Sequence, residues 1–513
     1  MRFNINKDEF HDRILGCWMG KNIGGTLGAP FEGTHEMPKI DFYTQELNGD
    51  PLPNDDLDLQ MIWLYAAEQN GVYRLTPRIM AEYWLNFEIA PMGEYGKCLA
   101  NIVNGFYPPL SGSCNNDKWK WSNGAWIRSE IWACFFPGSP DEAARCAYID
   151  ACADHEGEGI WAEVFTASLQ SAAFVEHDVN RLLEIALDRV APESRVASSV
   201  RRAISLFNDG VDFVTAREEI VKHNEETGFF QAPQNIGFVV LALLYGRGDF
   251  EETILNAVRC GDDTDCTAAT AGATLGIILG RKQLPEKWCK PIGDRIVTLC
   301  LPGYGMKIPH DLEELTRRTI AVACRNLADN PGLIDISDAP TCLDGFKIPS
   351  GRQVREKIAK RSPYEVMCDV TFARIGAVLE NGPDISTGEP LHIRFILHSV
   401  SKIITSTVKI ELMLPEDWRC EPGRTLLVSG TNTGPQCGEI DVTVIPGEIP
   451  DALYFMPVKI SLTNRAMPEV RMIPLQKKGC VDSRILVRNN DTTDRFTRLM
   501  GREIRYPSVE FDF

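Results

Sequence analysis

The sequence predicts a multidomain α plus β protein: an all-helical domain over residues 1–330, a connector over 331–363, a small antiparallel β-sandwich over 364–488 and a C-terminal arm over 489–513. Three observations predict it. The chain has 513 residues, enough for two or three domains. Apolar residues recur at three- and four-residue spacing as far as about Asn330. From Tyr364 the period falls to two, with turn residues between short runs.

In the first region the helical period is clearest over 140–153, 179–191, 193–208 and 310–327, with Gly, Pro and Asn punctuation between segments. Residues 331–363 are rich in Pro, Gly and Asp and hold no sustained period, which suits a connector. Alternation then runs through 364–372, 391–397, 406–412, 439–444 and 458–462. Turn signals at 380–382, 429–432 and 446–448 divide these strands, the signature of an antiparallel sandwich. The polar tail after 489 is expected to pack as an arm.

Composition narrows the function classes. Hydrophobic residues make up 44% and charged residues 24%, an ordinary soluble balance. With 71 acidic against 53 basic residues the net charge is −18, which disfavours nucleic acid and anionic membranes as partners. No apolar run is long enough to span a bilayer and no signal peptide is evident, so a cytoplasmic location is expected. The 16 cysteines are scattered through predicted elements and read as reduced, packed thiols.

Two acidic clusters carry the chemistry. Asn54-Asp55-Asp56-Leu57-Asp58 opens a helical run, with Asn54 a good N-cap; taken alone, an ordinary acidic first turn is the better explanation. Asp262-Asp263-Thr264-Asp265-Cys266 opens a second run built from Ala268, Ala269, Ala271, Gly272, Ala273 and Gly276. A helix this small on most faces is expected to be central, where carboxylates are costly to desolvate without a neutralising partner. A cation would serve, and Asp55, Asp56, Asp263 and Asp265 carry enough charge for two divalent ions, Mg²⁺ or Mn²⁺. A third element, Gly16, Gly20, Gly24 and Gly28 at four-residue spacing, reads as a close helix–helix contact, since no strand precedes it and no phosphate-loop ending follows. Glu32 lies on the loop beyond it.

In this order and spacing the three elements resemble the ADP-ribosylglycohydrolase family, which includes dinitrogenase reductase-activating glycohydrolase, over roughly residues 10–325. Ser122-Asn123-Gly124-Ala125-Trp126-Ile127-Arg128 is similar to the family's Asn-Gly-x-x-Met-Arg segment, and Asp154-His155 stands where the family has Thr-His. Residues 250–258 and Leu284-Pro285-Glu286-Lys287-Trp288 add to the likeness. The resemblance implies an orthogonal helical fold and hydrolysis of an ADP-ribosyl N- or O-glycosidic bond, with two Mg²⁺ ions holding the ribose hydroxyls. It implies Asn54, Asp55, Asp56, Asp263, Asp265 and Cys266 as metal ligands, and Glu32 over the metals. It implies Asn123, Gly124 and His155 as substrate-binding residues. Glu32, Asp56 and Asp263 are the expected catalytic residues, since glycosidic cleavage uses one carboxyl group on the leaving group and one on water.

Three substitutions depart from the family. Asn54 and Cys266 stand where Thr or Ser is usual, and Gly25-Thr26 replaces an acid-bearing pair. A thiol suits a softer ion such as Mn²⁺ or Fe²⁺ better than Mg²⁺. Cys152 and His155 have the spacing of half a zinc site, yet no matching pair appears. Lys118-Trp119-Lys120-Trp121 either grips a nucleotide or sugar or anchors a loop. The expected substrate is therefore ADP-ribosylated, with another riboside or glycoside as the alternative and a non-catalytic binding relative as the third reading. The sandwich offers a surface for carbohydrate, for a second copy of the chain, or for shielding the cleft.

Overall fold

The computed structural model describes residues 3–88, 93–302, 305–329, 332, 334–400, 406–430, 438–464 and 467–480. The arm expected over 489–513 lies outside the described residues.

The helical region is organised by one pair of helices. The first, Lys7–Gly28, is buried on every face from Gly16 onward, as an all-round packed helix must be. Its N-terminus is capped by Asn6 Oδ1, which accepts from Asp8 N (2.9 Å) and Glu9 N (3.4 Å). It runs antiparallel to the helix Thr264–Leu279, which is buried throughout its first fourteen residues. Gly16, Gly20, Gly24 and Gly28 face the backbone of Gly276, Gly272, Ala268 and Thr264 in turn, so close that any Cβ would overlap a carbonyl. The glycine spacing therefore is a helix contact. It also fixes a direction: the C-terminal end of the first helix lies beside the N-terminal end of its partner, and Thr264 Oγ1 donates to Gly28 O (2.8 Å).

The remaining helices surround this pair. Those read from periodicity are present with shifted ends, at Pro140–Ala151, Val179–Leu187, Arg195–Asn208 and Leu312–Asp329. The third starts late because Ser194, not Glu193, caps it by accepting from Ala197 N. Among the described residues no helix is long and apolar enough to cross a membrane, and every cysteine is free.

The strands are β1 Phe3–Asn6, β2 Ile334–Ser337, β3 Glu365–Met367, β4 Ala373–Leu379, β5 Asp384–Ile385 and β6 Leu391–Val400. They continue with β7 Ser406–Leu412, β8 Arg419–Glu421, β9 Thr425–Gly430, β10 Gly438–Ile445, β11 Leu453–Leu462 and β12 Glu469–Lys477. Strands β1 and β2 pair parallel, Phe3 opposite Ile334. The other ten form two sheets of order β3-β4-β6-β10-β8 and β5-β12-β11-β7-β9. All their pairings are antiparallel except β12 with β5. Alternate residues of β6 and β7, such as Ile393, Phe395, Val408 and Ile410, point into the core between the sheets. The alternation expected over 364–372 stops at Met367, and the chain turns back through the Val370–Ala373 bridge into β4.

Two features of the join escape the periodicity. The stretch read as a connector holds β2 and a helix, Arg352–Ala359. The helical region also lends Phe106, Leu110 and Cys114 to the core of the sandwich, and Asn115 Nδ2 donates to Gln476 Oε1 (3.2 Å).

Candidate metal centre

Both acidic clusters sit at helix starts that the fold brings together. Asp55 and Asp56 begin the helix Asp55–Asn70, with Asn54 Oδ1 accepting from Asp56 N (2.7 Å). Asp263 is the N-cap of Thr264–Leu279, and Asp265 and Cys266 lie in its first turn. The two starts are tied directly: Cys266 Sγ donates to Asp56 Oδ1 (3.3 Å), and Asn54 Nδ2 donates to Asp265 Oδ2 (3.1 Å). Glu32 arrives on the loop after the first helix. That loop is held by Asp262, whose backbone bonds Gly33 N (2.8 Å) and Thr34 O (2.7 Å).

Two groups of ligand atoms result, each within 4.8 Å. One is Asp56, Asp265 and Cys266; the other is Glu32, Asp263 and Asp265. Asp265 belongs to both. Asp56, Asp263, Asp265 and Cys266 are all buried, and among the described residues Oδ1 of Asp263 and of Asp265 meets no hydrogen-bond partner. Buried carboxylate oxygens without donors are rare and call for a cation. Burial and the neighbouring Asp265 push Asp55 up to about 6. Burial pushes Asp56 well above the ordinary range against the pull of Lys21. Burial, Asp265 and Glu32 do the same to Asp263, and burial with Asp263 and Asp265 raises the Cys266 thiol. The donor set thus fits divalent cations: hard carboxylates throughout, with one sulfur at one end.

Lys21 is the only cation that the described contacts place in this cluster. It is 1% exposed and reaches Asp56 Oδ2 (3.3 Å), Glu130 Oε2 (3.2 Å) and Ile127 O (2.6 Å). Burial works against its charge, but Glu130 and Asp56 hold it above the usual lysine range. One ammonium cannot balance the acids around it.

The other residues named from sequence fall into two layers. Asn123 Nδ2 donates to Asp263 Oδ2 (2.7 Å), and its Oδ1 accepts from Trp126 Nε1 (3.0 Å), so Asn123 aims one metal-site carboxylate. Gly124 N donates to Glu94 Oε1 (2.9 Å), with no room for a side chain against Glu94 and Tyr95. His155 lies behind them. Its Nε2 bonds Ser122 Oγ (3.1 Å), and its Nδ1 is 2.8 Å from Asp154 Oδ1. Arg128 grips Asp154 through two bonds (2.8 and 2.7 Å) and also Asp150. Burial works to raise Asp154, yet Arg128 and His155 hold it well below the usual carboxylate range. Asn54 has two tasks, cap and donor to Asp265; the face it turns to Asp265 is its amide nitrogen.

Sequence reasoning passed over Lys21, Tyr95 and Asp262. Tyr95 OH donates to Asp55 Oδ2 (3.0 Å). Asp262 adopts a left-handed φ of 63° and accepts from Phe230 N, Gln234 Nε2 and Asn235 Nδ2, which fixes the turn before Asp263. A charged lysine within the glycine-striped half of the first helix is the one visible signal. Asp58 does structural work, accepting from Leu299 N (2.5 Å) and Cys300 N (2.7 Å). In the Lys118–Trp121 patch, Lys118 Nζ lies 4.4 Å over the Trp119 ring and Lys120 pairs with Asp117 at 3.1 Å, while Ala232 N donates to Trp121 O (2.8 Å) and Glu156 N to Lys120 O (3.0 Å).

Fold and site together define a helical domain with a buried acidic centre where two glycine-packed helices meet. The chain belongs to the ADP-ribosylglycohydrolase family, whose family model matches residues 6–326, more than half of its length. It is 24% identical over 301 residues to an uncharacterized protein of Archaeoglobus fulgidus, across 55% of this chain and 92% of that protein. A solved structure described as an ADP-ribosylglycohydrolase-related protein complex is similar at 21% identity and a TM-score of 0.44. That likeness covers 62% of this chain and 98% of the solved one. Membership makes the helical domain one of a glycohydrolase fold, with acidic clusters able to bind metal.

Proposed function

We propose that the chain is a metal-dependent hydrolase that cleaves the N- or O-glycosidic bond of an ADP-ribosyl group. One observation carries this reading: Asp265 joins two ligand groups, and its Oδ1 and that of Asp263 are buried with no donor among the described residues. Asp55, Asp56, Asp263 and Asp265 would hold two Mg²⁺ ions, or Mn²⁺, with Asn54 and Cys266 at the edge of the set. Bound there, the ions would supply Lewis-acid polarisation of oxygen ligands such as vicinal ribose hydroxyls. The chain's own residues orient the rest. Asn123 holds Asp263 in place to take a proton from water. Glu32, within the same 4.8 Å group as Asp263, gives or receives the proton at the leaving group. Lys21 holds Oδ2 of Asp56, so that Oδ1, beside Cys266 Sγ, is the oxygen turned to the ligand set. Gly124 lets Glu94 and Tyr95 close against the backbone beside Asn123, and His155 supports Ser122 behind it.

A second reading, hydrolysis of another riboside or glycoside, draws on Cys266 and on the amide nitrogen that Asn54 turns to Asp265. Both give the ligand shell a different chemistry from an all-hydroxyl and carboxylate one. Turnover of ADP-ribosyl-arginine, ADP-ribosyl-serine and a panel of nucleosides and glycosides, with Mg²⁺ or Mn²⁺ and with chelator, separates the two. Metal-dependent release of ADP-ribose supports the first. Turnover confined to simple ribosides or glycosides moves the assignment to the second. Metal binding without any turnover leaves a binding relative.

A further inference from the structure

The helical region and the sandwich enclose a concavity, which shares no lining residue with the acidic centre. Its volume is about 970 Å³, at the upper end of the ~300–1,000 Å³ of small-molecule sites. Walls come from the helices Pro77–Phe87 and Pro140–Ala151, from the helix Arg352–Ala359, and from β3, β4, β11 and β12.

The cavity reverses the sign of the protein. Against a net charge of −18 it gathers six basic side chains, Arg78, Arg145, Lys357, Arg361, Arg374 and Arg471, with four acids. Each acid is engaged. Asp141 pairs with Arg189 (2.7 Å), Glu142 with Arg145 (2.9 Å), and Glu365 with His398 (2.5 Å) and Arg361 (3.4 Å). Asp369 accepts from Ile375 N (3.1 Å), and Arg471 is taken by Glu469 (2.7 Å). Among the described residues Arg78, Lys357 and Arg374 make no ion pair. Three cations left unpaired around one concavity produce a local positive field that would draw an anion in from solvent.

The floor is apolar where a sheet surface is ordinarily polar. Phe455, Val470 and Met472 on β11 and β12 are 44%, 45% and 52% exposed, and all three line this cavity. Two arginines are already stacked for use, Arg78 at 5.3 Å over Tyr107 and Arg145 at 5.6 Å over Tyr73. An apolar floor holds a ring face, and a guanidinium fork grips phosphate or carboxylate.

We propose that this cavity binds a small anionic ring compound, a sugar or nucleoside carrying a phosphate or carboxylate. Calorimetry on the full chain in chelator would use four probes: inorganic phosphate, ribose 5-phosphate, AMP and glucuronate. The ring phosphates or the uronate should bind more tightly than inorganic phosphate, and added salt should weaken them. Arg374→Ala and Arg78→Ala should each weaken binding at least about tenfold. Arg374→Ala should leave the melting temperature unchanged, since that side chain makes no ion pair among the described residues, and Arg78→Ala should lower it only slightly through the lost Tyr107 contact. Asp263→Asn should leave binding unchanged. The proposal is overturned if no probe binds at millimolar concentration, or if inorganic phosphate binds as well as the ring compounds. It is also overturned if binding survives the double variant Arg78→Ala/Arg374→Ala, or is lost only in Asp263→Asn, which would put the ligand in the acidic centre.

Discussion

Cys266 Sγ lies 3.3 Å from Asp56 Oδ1, so a thiol stands in one of the two ligand groups and not in the other. The centre is therefore chemically lopsided, all oxygen toward Glu32 and partly sulfur toward Asp56.

That asymmetry predicts ion preference. A thiophilic ion should raise the melting temperature more than Mg²⁺ at equal concentration, as ligand linkage requires for tighter binding. Titration with Co²⁺ should produce a thiolate-to-metal charge-transfer band in the near ultraviolet. Cys266→Ser should abolish the band and narrow the gap between ions. A wild-type Co²⁺ complex without the band would remove sulfur from the ligand set.

The crowded carboxylates predict an inverted pH dependence in the metal-free protein. Asp55 rises from 3.8 to about 6 on folding through burial and Asp265. A group raised in the folded state favours folding while it is protonated, so its contribution is complete below pH 4 and lost as pH climbs through 6. The loss is of order 3 kcal/mol for Asp55 alone, with Asp56 and Asp263 adding in the same direction. Chelated protein should melt higher at pH 5 than at pH 7.5, and saturating metal should cancel the difference. Equal melting temperatures with chelator would show the carboxylates are neutralised otherwise.

Lys21→Met should be severe. It leaves Asp56 and Glu130 buried beside a lost partner, which costs about 3–5 kcal/mol. Chemical denaturation of the metal-free protein measures it. Adding Glu130→Gln should recover part of the loss; a single variant with unchanged stability would mean the ammonium carries no charge balance.

Gly20→Ala and Gly24→Ala should force the central helices apart, because each new methyl meets backbone, Gly272 O or Ala268 O, that no side-chain rotation can move. Overpacking of this kind costs about 1–3 kcal/mol or more. Since the same contact brings Glu32 to Asp263, metal-induced stabilisation should fall too. A glycine away from the contact, Gly210, which has no atom within 4 Å of an added Cβ, offers the control for space, although its φ of 71° adds backbone strain of its own.

Periodicity found what is local. The glycines at every fourth position, the acids at two helix starts and the alternation in β6 and β7 are each set by residues a turn or a pleat apart, and each is in place. What escaped reading depends on partners far along the chain. Lys21 is explained by Glu130 and the Asp262 turn by Asn235, while the meeting of residues 56 and 266, which no local rule encodes, is legible only through the family resemblance. Helix ends moved by a few residues where a capping side chain, such as Ser194, decided the start. Strand β4 was missed because its pattern begins one residue after a turn that the alternation of 364–372 seemed to run through.

Phe106, Leu110 and Cys114 belong to the helical region by sequence and to the sandwich by packing. During synthesis they emerge between about 250 and 360 residues ahead of the strands that cover them. At ~5–20 residues per second that is roughly ten seconds to a minute. Through that interval the nascent chain carries an uncovered apolar patch, an opening for chaperones and a hazard on crowded ribosomes. Any truncation before residue 364 makes the interval permanent.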